Sequence, residues 1–275
     1  MHVDDGFNTE TAEHNIRNLA NNSGLTLVVK KVATVEYMDI VRAFIRAGLP
    51  GLAIPQDNVI LKQLYLALNE YRIKYLLSGA NFALESILQR SHGNNACDSV
   101  HIRHIHSLYG STPLSELRMV SLYERYFAEK YLHGVAMVRP LDLIDYQRDR
   151  AIAELVEESG FSYYGGKHEE SILTKFLQTY YLPKKFGFDK RRSHLSSLVI
   201  SGQMTREQAV RELEKPLFDA REIESDIDVI LAKIGMDRLE FEQLMTQEGR
   251  QHSDYRTSPL IRLSSIARMF RNAIE

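Results

Sequence analysis

The sequence predicts an α/β protein: a Rossmann-like parallel sheet over residues 1–145, followed by a mainly helical part over residues 146–275. Three observations predict it. In the first half, short runs rich in β-branched residues alternate with amphipathic segments, and strand–helix alternation requires crossover connections between parallel strands. From Tyr146 onward the apolar period becomes almost wholly helical. A chain of 275 residues with 44% apolar content can bury the core of one large or two ordinary domains.

The elements follow in order. His2 and Val3 read as the end of a strand that closes at Asp4-Asp5-Gly6. Residues 9–21 carry Ala12, Ile16 and Leu19 at helical spacing, with Gly24 as a stop. Residues 25–32 form a strand, and residues 36–47 a helix with Ile40, Val41, Phe44 and Ile45 on one face and Gly48 as its C-cap. Residues 57–71 form a helix capped by Asp57. Residues 73–78 read as a continuous apolar strand, and Gly79-Ala80-Asn81 leads into a helix over 82–89. A helix over 114–132 and a strand over 134–138 end the sheet region at Arg139-Pro140. Further helices are predicted over 148–158, 169–182, 206–214, 222–234, 237–246 and 259–273; Thr205 with Gln208 forms a capping box, and Asp237 an N-cap. In parallel sheets ligands sit beyond the carboxyl ends of the strands. That rule places Asp4, Asp5, Gly6, Ser78, Gly79 and Asn81 on the functional edge.

With 34 basic and 36 acidic residues the formal charge is −2, so any site for a polyanion is local and no nucleic-acid partner is expected. The single cysteine, Cys97, excludes an internal disulfide and fits a reducing compartment. No apolar run reaches the length of a membrane span, and the opening MHVDDGFNTE is polar and acidic. These features predict a cytoplasmic protein with no membrane segment.

Against that neutral background, residues 163–198 hold seven cations and two histidines with only three acids. Gly165-Gly166 lets backbone approach a ligand, Lys167, His168 and Glu170 add charge and acid/base capacity, and Lys190-Arg191-Arg192 with His194 suits phosphate oxygens. The alternative is a solvated basic turn, which charge alone fits equally well. Ile172, Phe176 and Tyr180 are spaced as a core stripe, with Lys175 and Gln178 pointing elsewhere. Cys97, His101, His104 and His106 offer metal-ligand types, but their spacing fits no closed zinc template. Cys97 also lacks the tight turn that exposes a nucleophile. Asn81 and Glu85, four apart past a strand end, share a helix face; a cap plus a surface acid explains them equally well.

The stretches HVDDGFNTETAEHNIRNL, GLPGLAIPQDNVI, YLLSGANFALES and, above all, the basic segment continued to SHLSSLVISGQMTREQA resemble the N-acetyl sugar amidotransferases of bacterial surface-polysaccharide synthesis (lipopolysaccharide O-antigen and nonulosonic-acid types). These belong to the PP-loop ATP pyrophosphatase superfamily, with its adenine nucleotide alpha-hydrolase type of sheet. The resemblance runs from His2 to about Met245. It implies conversion of an acetamido group on a nucleotide-linked sugar to an acetamidino group, using ATP, Mg²⁺ and ammonia from a separate glutaminase subunit. The amide oxygen attacks the α-phosphate, pyrophosphate leaves, and ammonia displaces AMP. By the same resemblance Asp4 and Gly6 lie by the adenosine, and Ser78, Gly79, Asn81 and Glu85 face the phosphates, with Glu85 toward Mg²⁺. Lys167, His168, Glu170, Lys190, Arg191, Arg192 and His194 contact pyrophosphate, sugar or carboxylate. The family also has a preceding central strand and a Ser-Gly-Gly-x-Asp-Ser loop, which this sequence lacks. The resemblance therefore implies an N-terminally truncated or split protein that binds ATP poorly on its own. A non-catalytic fragment and a PP-loop tRNA-modifying enzyme are the competing readings.

Overall fold

The computed structural model describes residues 1–32, 34–87, 94–164 and 169–261. Four short strands pair in parallel as two separate ribbons: β1 (His2–Asp4) with β2 (Val29–Lys31), and β3 (Tyr75–Leu77) with β4 (Ala136–Val138). The parallel pairing follows from the predicted strand–helix alternation, but one continuous sheet is not formed among the described residues. Among the described residues, each ribbon leaves an edge open. His2 N–H donates to Val28 and Val32 N–H to Asp4, so residues 2 and 4 face β2 while the amide and carbonyl of Val3 turn the other way. By the same alternation Tyr75 and Leu77 turn their backbone groups away from β4.

Helices surround the ribbons. α1 (Glu10–Asn22) is capped by Thr9, and α2 (Thr34–Ala47) buries Ile40, Val41, Phe44 and Ile45 as their spacing predicts. α3 spans Ile54–Glu70 and starts a turn earlier than expected: Pro55 occupies the first turn, where its missing N–H costs nothing, so Asp57 lies inside the helix rather than capping it. α4 (Phe82–Glu85) follows β3 and ends at Ser86, short of the predicted 82–89 helix, whose residues 88 and 89 lie outside the described residues. Residues 99–109, unassigned by pattern, form α5 (Ser99–Tyr109) under an Asp98 cap. Residues 114–120 are not helical, in contrast to the predicted 114–132 helix; only a π-helix over Glu124–Leu132 forms. The cause is distant: the Glu36 carboxylate takes the amides of Ser115, Glu116 and Leu117, which therefore have no helical role.

After α6 (Arg148–Ser159) comes a continuous helical rod, α7 (Ile172–Phe176), a π turn (Leu177–Tyr181) and α8 (Leu182–Phe186). Then follow α9 (Arg191–Ile200), α10 (Arg206–Glu214), α11 (Ala220–Ile234) and α12 (Arg238–Thr246). The Thr205–Gln208 capping box and the Asp237 cap are present. Of the predicted 259–273 helix, residues 262–273 lie outside the described residues. Phe176 is buried with Ile172 and Tyr180 packed beside it, in one core with Val3, Phe7 and Phe44 from the first half and Ile227 and Phe241 from the second. A satellite core of Tyr65, Leu68, Cys97, Val120 and Leu122 supports β3 through Leu76, and Val135, just before β4, packs against it.

Candidate functional site

The chain leaving β1 is stitched to the start of α7. Thr9 N–H donates to the Glu170 carbonyl at 3.0 Å, and Ile172 N–H to Phe7 at 2.8 Å. Ser171 caps α7 by accepting from Thr174 N–H. The basic segment is thereby anchored at the carboxyl end of β1. Between the anchor and the two ribbons opens a cavity of about 1110 Å³. Val3 of β1, Leu76 and Leu77 of β3, Glu85, Glu170, Lys190 and His194 all line it.

One wall is a buried polar network. The Asp5 carboxylate accepts from Gln56 Nε2 at 2.6 Å, from the Tyr37 hydroxyl at 3.3 Å and from Phe7 N–H at 3.1 Å. Gln56 Oε1 in turn accepts from the Thr174 hydroxyl. Burial, then the Asp5 charge, raise the Tyr37 phenol well above its usual range, so it stays protonated and donates. Gln56, Asp57, Ser171, Thr174 and Gln178 line the cavity with Asp5. Gln56, Ser171 and Thr174 escaped the sequence reading because neutral side chains carry no charge signal; Gln56 and Asp57 do sit in the quoted GLPGLAIPQDNVI.

The remaining predicted residues divide. Asp4 accepts from Gly6 N–H at 3.0 Å, closing the turn after β1, and Gly6 holds φ +86° with Met38 Cε 3.2 Å from where a Cβ would sit. Ser78 accepts from Ala80 N–H. Asn81, buried, caps α4 by accepting from Leu84 N–H at 2.9 Å, so the cap explanation accounts for it fully. Asp4, Gly6, Ser78, Gly79 and Asn81 shape strand-end loops and do not line the cavity among the described residues, whereas Glu85 does. Lys167 and His168 lie outside the described residues.

The cation cluster splits by helix phase. Lys190 and His194, one turn apart, face the cavity with Ser193 between them. Arg191 grips Asp189 with two nitrogens, the closer contact at 2.9 Å, and donates to the carbonyls of Glu212, Leu213 and Lys215, closing the end of α10. Arg192 lines a different hollow, between α9 and α10. Lys175 pairs with Glu222 at 2.5 Å and Asp226 at 2.9 Å, away from the cavity.

The zinc-like residues go separate ways, His104 meeting the Tyr255 ring edge-on. His101 meets the Arg256 carbonyl and His252, His106 binds Asp39, and Cys97 is buried in the satellite core, which pushes its thiol up to about 11. No cluster of three or more metal-capable side chains occurs among the described residues. No helix among them is long and apolar enough to cross a membrane.

Fold and cavity together define a mostly helical protein with small parallel ribbons, whose pocket, of mixed polar and apolar lining, is assembled jointly by the strands and a helical C-terminal segment. Residues 170–269 match the family model described as LPS biosynthesis protein WbpG-like, C-terminal domain. The matched stretch begins at the cavity residue Glu170 and includes Lys190 and His194, so the pocket's cationic wall is similar to a domain of lipopolysaccharide biosynthesis proteins. No curated protein matches the chain.

Proposed function

We propose that the protein is the synthetase component of an ATP-dependent amidotransferase of lipopolysaccharide biosynthesis, which turns the N-acetyl group of a nucleotide-linked sugar into an acetamidino group with ammonia from a glutaminase subunit. One observation carries the reading: the segment similar to lipopolysaccharide biosynthesis proteins supplies Glu170, Lys190 and His194 to a cavity that Asp5 and Glu85 also line. At about 1110 Å³ the space exceeds that of an ordinary single-ligand pocket, roughly 300–1,000 Å³, as two substrates demand. Lys190 and His194 stand where they neutralise departing pyrophosphate or substrate phosphate. The carboxylates fit a hard cation: Mg²⁺ needs only one or two protein oxygens with phosphates and water completing its shell, and Glu85 is the residue to hold it. Bound there, Mg²⁺ would stabilise charge on the phosphates.

The open edges of β1 and β3 at this cavity support a further element of the proposal. A strand seated between them would join both ribbons into one parallel sheet and deliver a phosphate-wrapping loop to the pocket. Those same edges favour a second reading, a subunit that binds sugar nucleotide without activating it.

The test measures calorimetric binding of UDP-N-acetyl sugars and pyrophosphate release with ATP, Mg²⁺ and ammonium. Nucleotide-sugar-dependent pyrophosphate release that falls at least tenfold in Lys190→Ala is the expected result. Binding without release selects the second reading, and neither binding nor release overturns both.

A further inference from the structure

A second hollow, of about 370 Å³, lies between α9 and α10 on the side turned from the cavity. Residues 201–205 connect these helices, which pack together as an antiparallel hairpin. Ser193, Ser197 and Leu198 of α9 face inward and are buried. The outward stripe, Leu195, Val199, Val210 and Leu213, is aliphatic, and Val210 stays 47% exposed. Arg192 lies at one end of the hollow and Arg206 at the other. Neither guanidinium makes an ion pair or hydrogen bond among the described residues, although that of Arg191 next door makes six hydrogen bonds.

We propose that this groove docks an amphipathic helix of a partner protein, bearing an apolar stripe and an acidic side chain near each end. Two packed helices with an aliphatic furrow present the lodging a third helix fills, and furrow chemistry of this kind has nothing to offer a sugar or nucleotide. The two arginines set the charge of the guest. They are separated along the groove by about eight residues of α9, or ~12 Å at 1.5 Å per residue, so the partner's acids fall about seven or eight residues apart. A second copy of this chain is a poorer guest. Of its acid-rich helices, α11 already commits Glu222 and Asp226 to Lys175 and Glu224 and Asp228 to Arg238, and α6 pairs Asp149 with Arg148 and Glu154 with Arg150. This inference is independent of the catalytic reading, since no cavity residue takes part.

The test selects a phage-displayed library of 16-residue helix-forming peptides on the intact protein. Selected sequences are expected to carry an apolar stripe flanked by Asp or Glu seven or eight positions apart. Arg206→Glu should weaken them at least tenfold, and replacing the facing acid by Lys should restore binding to that variant. Val210→Asp, on the same exposed stripe, should abolish binding while the melting temperature of the protein holds. Selected peptides without the acidic bias, peptides indifferent to both variants, or a protein that dimerises until Val210→Asp disperses it would each overturn the proposal.

Discussion

Two groups of acids sit against the same core and are used in opposite ways. Glu36 and Asp39, a turn apart on α2, are sealed. Glu36 accepts from the amides of Ser115, Glu116 and Leu117 and from the Ser115 hydroxyl, all within 2.8 Å. Asp39 takes His106, Arg42, the Ser111 amide and hydroxyl, and the Thr112 amide. Asp5, by contrast, is half committed: Gln56, Tyr37 and Phe7 hold it, yet it still borders open space with Glu85 and Glu170. A buried carboxylate with no face on open space fastens a loop; Asp5 is held by its donors and also forms part of a cavity wall.

Substitution breaks the sealed side hardest. Asp39→Ala leaves Arg42 and His106 without their acid and the 111–112 amides unpaired, and should lower unfolding free energy by about 3–5 kcal/mol in urea titration. Glu36→Gln replaces one acceptor oxygen by a donor facing backbone amides, and should lose about 1–3 kcal/mol. The pH dependence has the same origin. Burial pushes both carboxyls up, but the amide donors outweigh it, holding Glu36 at about 2 and Asp39 lower still. A depressed folded pKa stabilises above the unfolded value, ~4 for carboxylates, and that stability drains as pH falls through the folded one. The urea midpoint should therefore fall steadily from about pH 5 to pH 2, and Glu36→Gln should flatten part of that slope.

Arg191→Ala falls between. Its guanidinium is part-exposed, so the loss should be about 1–2 kcal/mol, and hydrogen exchange should quicken at the end of α10 while the cavity amides hold. If instead exchange rises around Glu170 and leaves α10 unchanged, the assignment of Arg191 to α10 is wrong.

Local features of this design are visible in sequence. The caps at Thr205 and Asp237, the buried face of α2 and the anomalous charge of the basic segment all depend on neighbours within a turn or two. What escaped is set from a distance. Residues 114–120 have helical spacing, but a carboxylate from α2 claims their amides. The strand expected over 25–32 shortens to Val29–Lys31 because β1 offers only three residues to pair with. In the cation run, composition marks the segment but not its phase: a helix turns about 100° per residue, so neighbours 190, 191 and 192 must diverge, and which of them meets the cavity depends on where α9 docks against α4. Ile87 N–H donating to Ser197 Oγ is one contact that fixes that docking.

The gentlest substitution gives the sharpest contrast between the two groups. Lys190 precedes α9 at the cavity's edge, where it is only half-buried. Lys190→Met keeps the aliphatic stem and removes one part-exposed charge, so unfolding free energy should fall by less than the about 3–5 kcal/mol of Asp39→Ala. A phosphate-bearing ligand, however, would lose a cation in a partly desolvated pocket, where an ion-paired hydrogen bond is worth roughly 1.5–3 kcal/mol, and its affinity should fall about ten- to a hundredfold. Stability and binding thus separate at the open site and stay joined at the sealed one. A Lys190→Met protein that unfolds as readily as Asp39→Ala would place Lys190 among the fasteners, and the distinction between the two groups of charge would fail.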